Sequence, residues 1–270
     1  MTIIQAIILS IVEGLTEFLP ISSTAHMKFT NPIIGVTSTA FSDMFEIVIQ
    51  LFAILAVVVI YYKKFFDFAR IGFYIKLIIA MIPAVIFGLL LKKHIDSALE
   101  NLYFIACVMI GGGIIFLFVD RWFNHPHIES ERNISNKSAF WIGCFQVLSI
   151  VLPGFSRSGA TIIGGLSQGL TRKAAAEFSF FLAVPTMLAA SVKQLWDVHK
   201  NNPEVLTKDN AVLLGLSGIV TFLVAIIVIR FFIGFLQKHG FKVWDYYRIV
   251  VGLVMLALLL THVLPGRGGL

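Results

Sequence analysis

Two short stretches of the chain gather the residue types that phosphoryl chemistry uses. The first is Glu13-Gly14-Leu15-Thr16-Glu17-Phe18-Leu19-Pro20-Ile21-Ser22-Ser23-Thr24-Ala25-His26. Glu13 and Glu17 stand four apart, so a helix carries them on one face. In apolar surroundings two carboxylates repel, and they require a cation or a shared proton. A hard divalent cation, Mg2+ or Ca2+, held by Glu13 and Glu17 and reaching phosphate oxygens, meets that requirement. The alternative is that both acids reach the surface beside an N-terminal helix. Pro20 ends one short helix and Ser22 or Ser23 caps the next. If that helix starts near Ser23, His26 follows one turn later on the same face. The pair then reads as nucleophile and base, or as an imidazole that activates water or protonates a leaving oxygen. Capping serines beside a packing histidine are the plainer alternative.

The second stretch is Pro153-Gly154-Phe155-Ser156-Arg157-Ser158-Gly159-Ala160-Thr161. Gly154 and Gly159 permit a tight turn whose free N–H groups hold an anion, and Ser156, Ser158 and Thr161 add hydroxyl donors. Arg157 contributes a planar fork suited to phosphate oxygens. Its alternative is structural pairing with Glu13 or Glu17 alone. Ser22, Thr24, Gly154, Ser156, Ser158, Gly159 and Thr161 are the candidate substrate contacts, and Ser23, His26, Glu17, Glu13 and Arg157 the candidate catalytic groups. Carboxylates, hydroxyls, an imidazole, an arginine and a glycine turn together suit cleavage of a phosphoric anhydride or ester. Lipid-facing helices around them suit a substrate with a long hydrocarbon tail.

The elements that must position these groups are membrane helices. The chain has 270 residues, 58% hydrophobic and 13% charged, with mean hydropathy +0.89, too little polar material to cover a soluble globule of this size. Apolar tracts at 45–61, 77–91, 102–119, 178–192, 211–229 and 249–264 approach the roughly 20 residues that span a hydrocarbon core. Helices are the expected spanning element, because lipid offers no partner to an open strand edge. The net charge of +6 falls between the tracts, so it carries topology information and implies no nucleic-acid partner. The first apolar segment lacks a preceding basic residue and does not read as a cleaved signal peptide. Cys107 and Cys144 read as small buried side chains without a shared disulfide.

Two further runs are broken in the middle, 3–34 and 140–170, each by one of the polar stretches. Their halves are too short to cross, so they read as re-entrant hairpins. Setting residue n against n+133 places Glu13 on Gln146, Pro20 on Pro153 and Ser23 on Ser156. The expected fold is an all-α polytopic membrane protein, residues 1–270 as a single membrane domain. Its inverted-topology repeats are 1–119 and 138–264, joined by a polar cytoplasmic loop at 120–137, each with one re-entrant hairpin and three transmembrane helices. Three crossings between the hairpins reverse their orientation and let the polar turns meet at mid-membrane. Thirteen Lys and Arg, Arg248 among them, fall on one face and seven, Lys28 and Arg267 among them, on the other, with Arg157 outside both counts. The richer face is expected to be cytoplasmic, which puts both termini and the first hairpin's mouth outside.

Other groups carry less. Glu46 either extends the site or reaches the interface, with Gln50 one turn beyond as its support. Glu177 follows Arg172 and Lys173 and reads as charge balance at a helix start. Trp122, Trp141, Trp196 and Trp244 read as interfacial anchors.

The stretches 13–26 and 153–161, with FEIVIQLFAILAVV at 45–58 and EFSFFLAVP at 177–185, closely resemble the bacterial undecaprenyl-diphosphate phosphatase family known as BacA or UppP, along essentially the whole chain. The resemblance implies removal of one phosphate from undecaprenyl diphosphate, recycling of the lipid carrier for cell-wall synthesis, and bacitracin resistance. It implies a divalent-cation requirement, the bilayer of the bacterial cytoplasmic (inner) membrane as the setting, and the interlocked inverted-repeat fold, and it is compatible with a homodimer. The family's functional positions match Glu13, Glu17, Ser23, His26 and Arg157, with Ser156, Ser158 and Thr161 in the second motif. Ala25 departs from the glycine usual before the histidine, which helical backbone tolerates. Within the family reading Ser23 attacks phosphorus with His26 assisting, and a metal-activated water with Glu17 or His26 as base is the second mechanism. The rival class is a lipid-phosphate or small-anion transporter or flippase on the same architecture.

Overall fold

In the computed structural model, which describes residues 1–67 and 70–266, the hydropathy pattern resolves into helices throughout, with no sheet among the described residues. In chain order these are α1 (Ile3–Thr16), α2 (Ser23–Ile33), α3 (Ala40–Ile60), α4 (Tyr62–Phe65), α5 (Ile71–Leu90), α6 (Lys92–Glu100), α7 (Leu102–Trp122), α8 (Asn136–Val151), α9 (Arg157–Ser167), α10 (Arg172–Asn201), α11 (Lys208–His239) and α12 (Lys242–Leu260). Six of them, α3, α5, α7, α10, α11 and α12, are long and apolar enough to cross a membrane, whereas α1 is apolar but shorter. The chain is therefore an all-α polytopic membrane protein.

Each half runs short helix, polar turn, short helix, then three long helices. The packing exchanges elements between the halves: α1 lies on α11, α8 lies on α5, α3 meets α10, and α7 meets α12. Swapping the two halves converts the first contact into the second and leaves the last two unchanged. One large apolar cluster runs through Phe18, Phe116, Phe180 and Phe232, drawing on both halves.

Several expected boundaries shift, for physical reasons. α12 begins at Lys242, seven residues before the apolar tract at 249. Asp245 and Arg248 therefore lie within the helix and are completely buried. Arg248 leaves the loop count, twelve to seven, and Arg267 lies outside the described residues. Hydropathy misplaces this boundary because charged residues at a helix start look like loop when their buried partners are distant in sequence. The Trp244 ring is half-buried and packs on Phe232 and Phe235 of α11. Trp122, Trp141 and Trp196 are exposed. Glu177 pairs with Lys64 at 3.0 Å rather than with its neighbours. Lys64 and Arg70 also hold the buried Glu131, so the 120–137 segment is docked on the helices as well as connecting them. The two cysteines are free, and Cys107 is exposed.

Candidate active site

Both polar turns end in the same device. Ser22 caps α2 with φ 69° and Ser156 caps α9 with φ 77°, a backbone region that non-glycine residues rarely occupy and that persists where surroundings hold it. Each cap hydroxyl accepts from the N–H three residues on, Ala25 at 3.3 Å and Gly159 at 3.1 Å. The caps are 134 residues apart, so the structure pairs Ser22 with Ser156 and Ser23 with Arg157, one residue off the 133 spacing that the sequence suggested. α9 consequently starts at Arg157, not at the apolar run from 162.

The turns are stitched to each other. The Ser158 hydroxyl donates to the Phe18 carbonyl at 2.8 Å. From α12 the Arg248 guanidinium donates to the carbonyls of Pro20 (2.9 Å), Phe155 (2.8 Å) and Gly154 (3.0 Å). It also lies over the Phe116 ring, 4.5 Å from its centre. A buried guanidinium is tolerated where several carbonyls satisfy its donors. Space for it depends on Gly112, where an added Cβ would fall on the Arg248 Nη2. Motif reading missed Arg248; the only hint was Asp245 three residues earlier, which makes the charged pair share a helix face.

A cavity of about 710 Å³ opens beside the joined turns, lined by Glu17, Ser22, Ser23, Thr24, Pro153, Gly154, Ser156 and Arg157 among others. Glu17 joins the two turns across its wall. Its Oε2 accepts the Ser23 hydroxyl at 2.5 Å, and its Oε1 accepts Arg157 Nη2 at 2.6 Å. Arg157 Nη1 is fixed by the Ser179 carbonyl at 3.2 Å. The N-terminal residues of α2 and α9 both line the cavity, placing the positive ends of two helix dipoles beside it. Glu13, one turn before Glu17, is wholly buried, and neither carboxylate oxygen receives a hydrogen bond. Glu13 stands outside the cavity lining, and buried carboxylate oxygens without donors fit either a bound cation or a proton shared with Glu17. No group of three or more His, Cys, Asp or Glu ligands occurs among the described residues. Two carboxylates with phosphate oxygens and water still suffice for magnesium.

Other expected residues sit elsewhere. His26 does not line the cavity: its Nδ1 lies 2.8 Å from the Ser22 carbonyl and its Nε2 2.9 Å from the Tyr247 hydroxyl, with the two rings stacked. Nδ1–H therefore donates to the carbonyl and Nε2 accepts from tyrosine, so the partner of Ser23 is Glu17. Spacing put His26 one turn past Ser23, but the cap geometry turns the imidazole toward α12. Ser158, Gly159 and Thr161 also stand outside the cavity lining. As N2, N3 and N5 of α9 they face packing: Thr161 bonds to Ser179 at 2.6 Å, and Gly159 leaves room for Phe116. Glu46 and Gln50 do line the cavity.

Fold and site define a polytopic helical membrane protein with a phosphate-suited cavity between two capped turns. Residues 6–254 match the family of the bacitracin resistance protein BacA, and the chain belongs to that family. It is 53% identical over 256 residues to an undecaprenyl-diphosphatase of Flavobacterium psychrophilum, covering 95% of each chain. It is 48% identical over 280 residues to one of Porphyromonas gingivalis (97% of this chain, 99% of the relative), and 43% identical over 264 to one of Bdellovibrio bacteriovorus (97% of each).

Proposed function

We propose that the chain hydrolyses undecaprenyl diphosphate to undecaprenyl phosphate and inorganic phosphate, recycling a lipid carrier for cell-wall synthesis and conferring bacitracin resistance. The observation that carries the chemistry is the Ser23–Glu17–Arg157 chain of contacts along the cavity wall, with Glu17 between nucleophile and cation. Glu17 takes the Ser23 proton as Oγ forms a bond to the terminal phosphorus. The bond from that phosphorus to the bridging oxygen breaks, and the lipid monophosphate leaves with the bridging oxygen. Glu17 passes that proton to the leaving oxygen; water then attacks the phosphoserine phosphorus and gives a proton to Glu17 as the phosphorus–Oγ bond breaks, and Glu17 returns it to Ser23 Oγ as phosphate leaves. Arg157 and the first N–H groups of α2 and α9 hold the phosphoryl oxygens as charge moves onto the leaving oxygen. Glu13 and Glu17 would hold a divalent cation, Mg2+ or Ca2+, which when bound offsets charge on those oxygens. His26, hydrogen-bonded to Tyr247, acts by holding the α2 start in place.

The reciprocal packing of the two halves supports inverted repeats, 1–119 and 138–264, whose short helix pairs enter the membrane as re-entrant hairpins from opposite faces. Cavity residues from 38–50 and from α6 belong to the face poorer in Lys and Arg. On this reading the cavity opens outward, on the periplasmic side of the inner membrane, as do both termini. Labelling single cysteines at residues 97 and 129 from each side of the membrane checks that orientation.

The test is phosphate release from undecaprenyl diphosphate by the purified, detergent-solubilised protein, with and without chelator, beside Arg157→Ala. Release that chelator abolishes and the folded variant lacks supports the reading. Lipid binding without release, with translocation across vesicles, moves the assignment to a transporter on the same inverted-repeat architecture.

A further inference from the structure

A diphosphate presents two anionic phosphoryl groups, and Arg157 has committed donors to Glu17 and Ser179. Among the described residues lining the cavity there is one other cationic side chain, Lys28 of α2. It lies one turn beyond Thr24, also a lining residue, and five residues beyond Ser23. Five residues are about 7.5 Å along the helix axis and about 140° around it, so Lys28 shares its helix face with Thr24 rather than with Ser23, and both Thr24 and Lys28 line the cavity. Lys28 is paired with Glu46 at 3.3 Å, both side chains largely buried. This contact is longer than the usual charge-assisted bond. Glu46 meanwhile receives a bond from Asn31 Nδ2 at 2.6 Å, so its carboxylate keeps a partner when Lys28 moves. Each cavity cation is thus parked on a carboxylate, Arg157 on Glu17 and Lys28 on Glu46, and the Lys28 pair is the looser.

We propose that Lys28 is the second phosphoryl-binding cation of the cavity, exchanging Glu46 for an oxyanion of the phosphoryl group that Arg157 does not hold. The ligand chemistry is a tetrahedral phosphoryl oxyanion, presented either by the lipid diphosphate on entry or by inorganic phosphate on exit. The assignment rests on the diphosphatase reading above. Glu46 then acts as a competitor for the ammonium, and its neutralisation should tighten phosphate binding, the opposite of what losing a merely structural ion pair would do.

The experiment compares wild type, Lys28→Met, Lys28→Arg and Glu46→Gln for KM toward undecaprenyl diphosphate, for inhibition by inorganic phosphate, and for kcat, all in folded, detergent-solubilised protein. Lys28→Met is expected to weaken one or both affinities about ten-fold, with kcat changed far less, the scale of one charged hydrogen bond. A KM effect assigns the lipid headgroup, and an inhibition effect assigns released phosphate. Lys28→Arg is expected to restore most of the loss, and Glu46→Gln to strengthen the affinity that Lys28→Met weakens. Unchanged affinities in Lys28→Met, or equal weakening in Lys28→Met and Glu46→Gln, overturn the proposal while wild-type release still stands. Absence of wild-type release with lipid bound strikes the diphosphatase reading instead, and phosphate binding measured by calorimetry on wild type and Lys28→Met then decides Lys28 alone.

Discussion

The two polar turns share a backbone and divide the chemistry. Each ends in a serine with positive φ whose hydroxyl caps the following helix. The residue after each cap then differs: Ser23 in the first turn, Arg157 in the second. The helices that enter the turns differ too. α1 brings Glu13 and Glu17, while α8 brings Gln146, which is equally buried and without hydrogen-bond partners. One turn thus brings carboxylates and the Ser23 hydroxyl, the other a cation, and the cavity lies where they touch. Buried charge enforces the meeting, because Glu17 and Arg157 would each be costly alone and are compensated as a pair. The same device aims both helix N-termini at the cavity, and what stands on it differs between the two turns.

The sharpest break of this comparison is Ser23→Ala. If the first hairpin supplies the nucleophile, phosphate release falls at least about 10³-fold, and no phosphoserine is trapped by acid quench where wild type gives one. Hydrolysis retained in the variant would hand attack to water. Arg157→Ala attacks the other hairpin and is expected to lower kcat/KM by about 10²–10³-fold. It should also lower thermal stability, because Glu17 loses its counter-ion; Glu17→Gln added to it should recover stability without recovering activity. Glu13→Gln tests the asymmetry at the entering helices. It converts the first hairpin toward the second's glutamine, and we expect it to blunt the response of activity to added Mg2+ or Ca2+ while leaving the thermal midpoint near wild type.

Arg248→Gln loosens the joint between the turns without touching the cavity lining. We expect about a 10- to 100-fold loss in kcat, since misplacement of about an ångström is enough for that, with partial recovery in Arg248→Lys. The smallest effects belong to the caps. Ser22→Gly loses its cap hydrogen bond, and Ser156→Gly loses its cap and the 3.4 Å bond that its hydroxyl donates to the Leu19 carbonyl, but both relieve a positive φ, so stability should shift by less than about 1 kcal/mol. The alanine versions keep the strained φ and should be the more destabilised by thermal melting. The same order of glycine and alanine variants at both sites is expected if the positive φ governs each cap.

Hydropathy and the scarcity of charge required a polytopic helical membrane protein, since lipid leaves the backbone no other economical way to satisfy its hydrogen bonds. Proline, serine and glycine marked both turns, because capping and tight turns are local demands that neighbouring residues must meet. The carboxylates and Arg157 were legible as a site because ionisable groups among apolar tracts need partners. Contacts between distant segments, by contrast, are set only when the chain folds. The sequence spacing aligned Ser23 with Ser156, whereas the caps align Ser22 with Ser156, because a repeat is registered by backbone geometry and not by residue type. His26 stood near Ser23 in the sequence, but Tyr247, 221 residues away, holds its ring elsewhere. Arg248 looked like loop charge, and only folding reveals carbonyls of two turns converging on its guanidinium. Lys28 likewise counted as surface charge until α3 placed Glu46 against it at the cavity wall. Local chemistry is written in neighbouring residues, while the partner of a buried charge is chosen by whichever distant element packs against it.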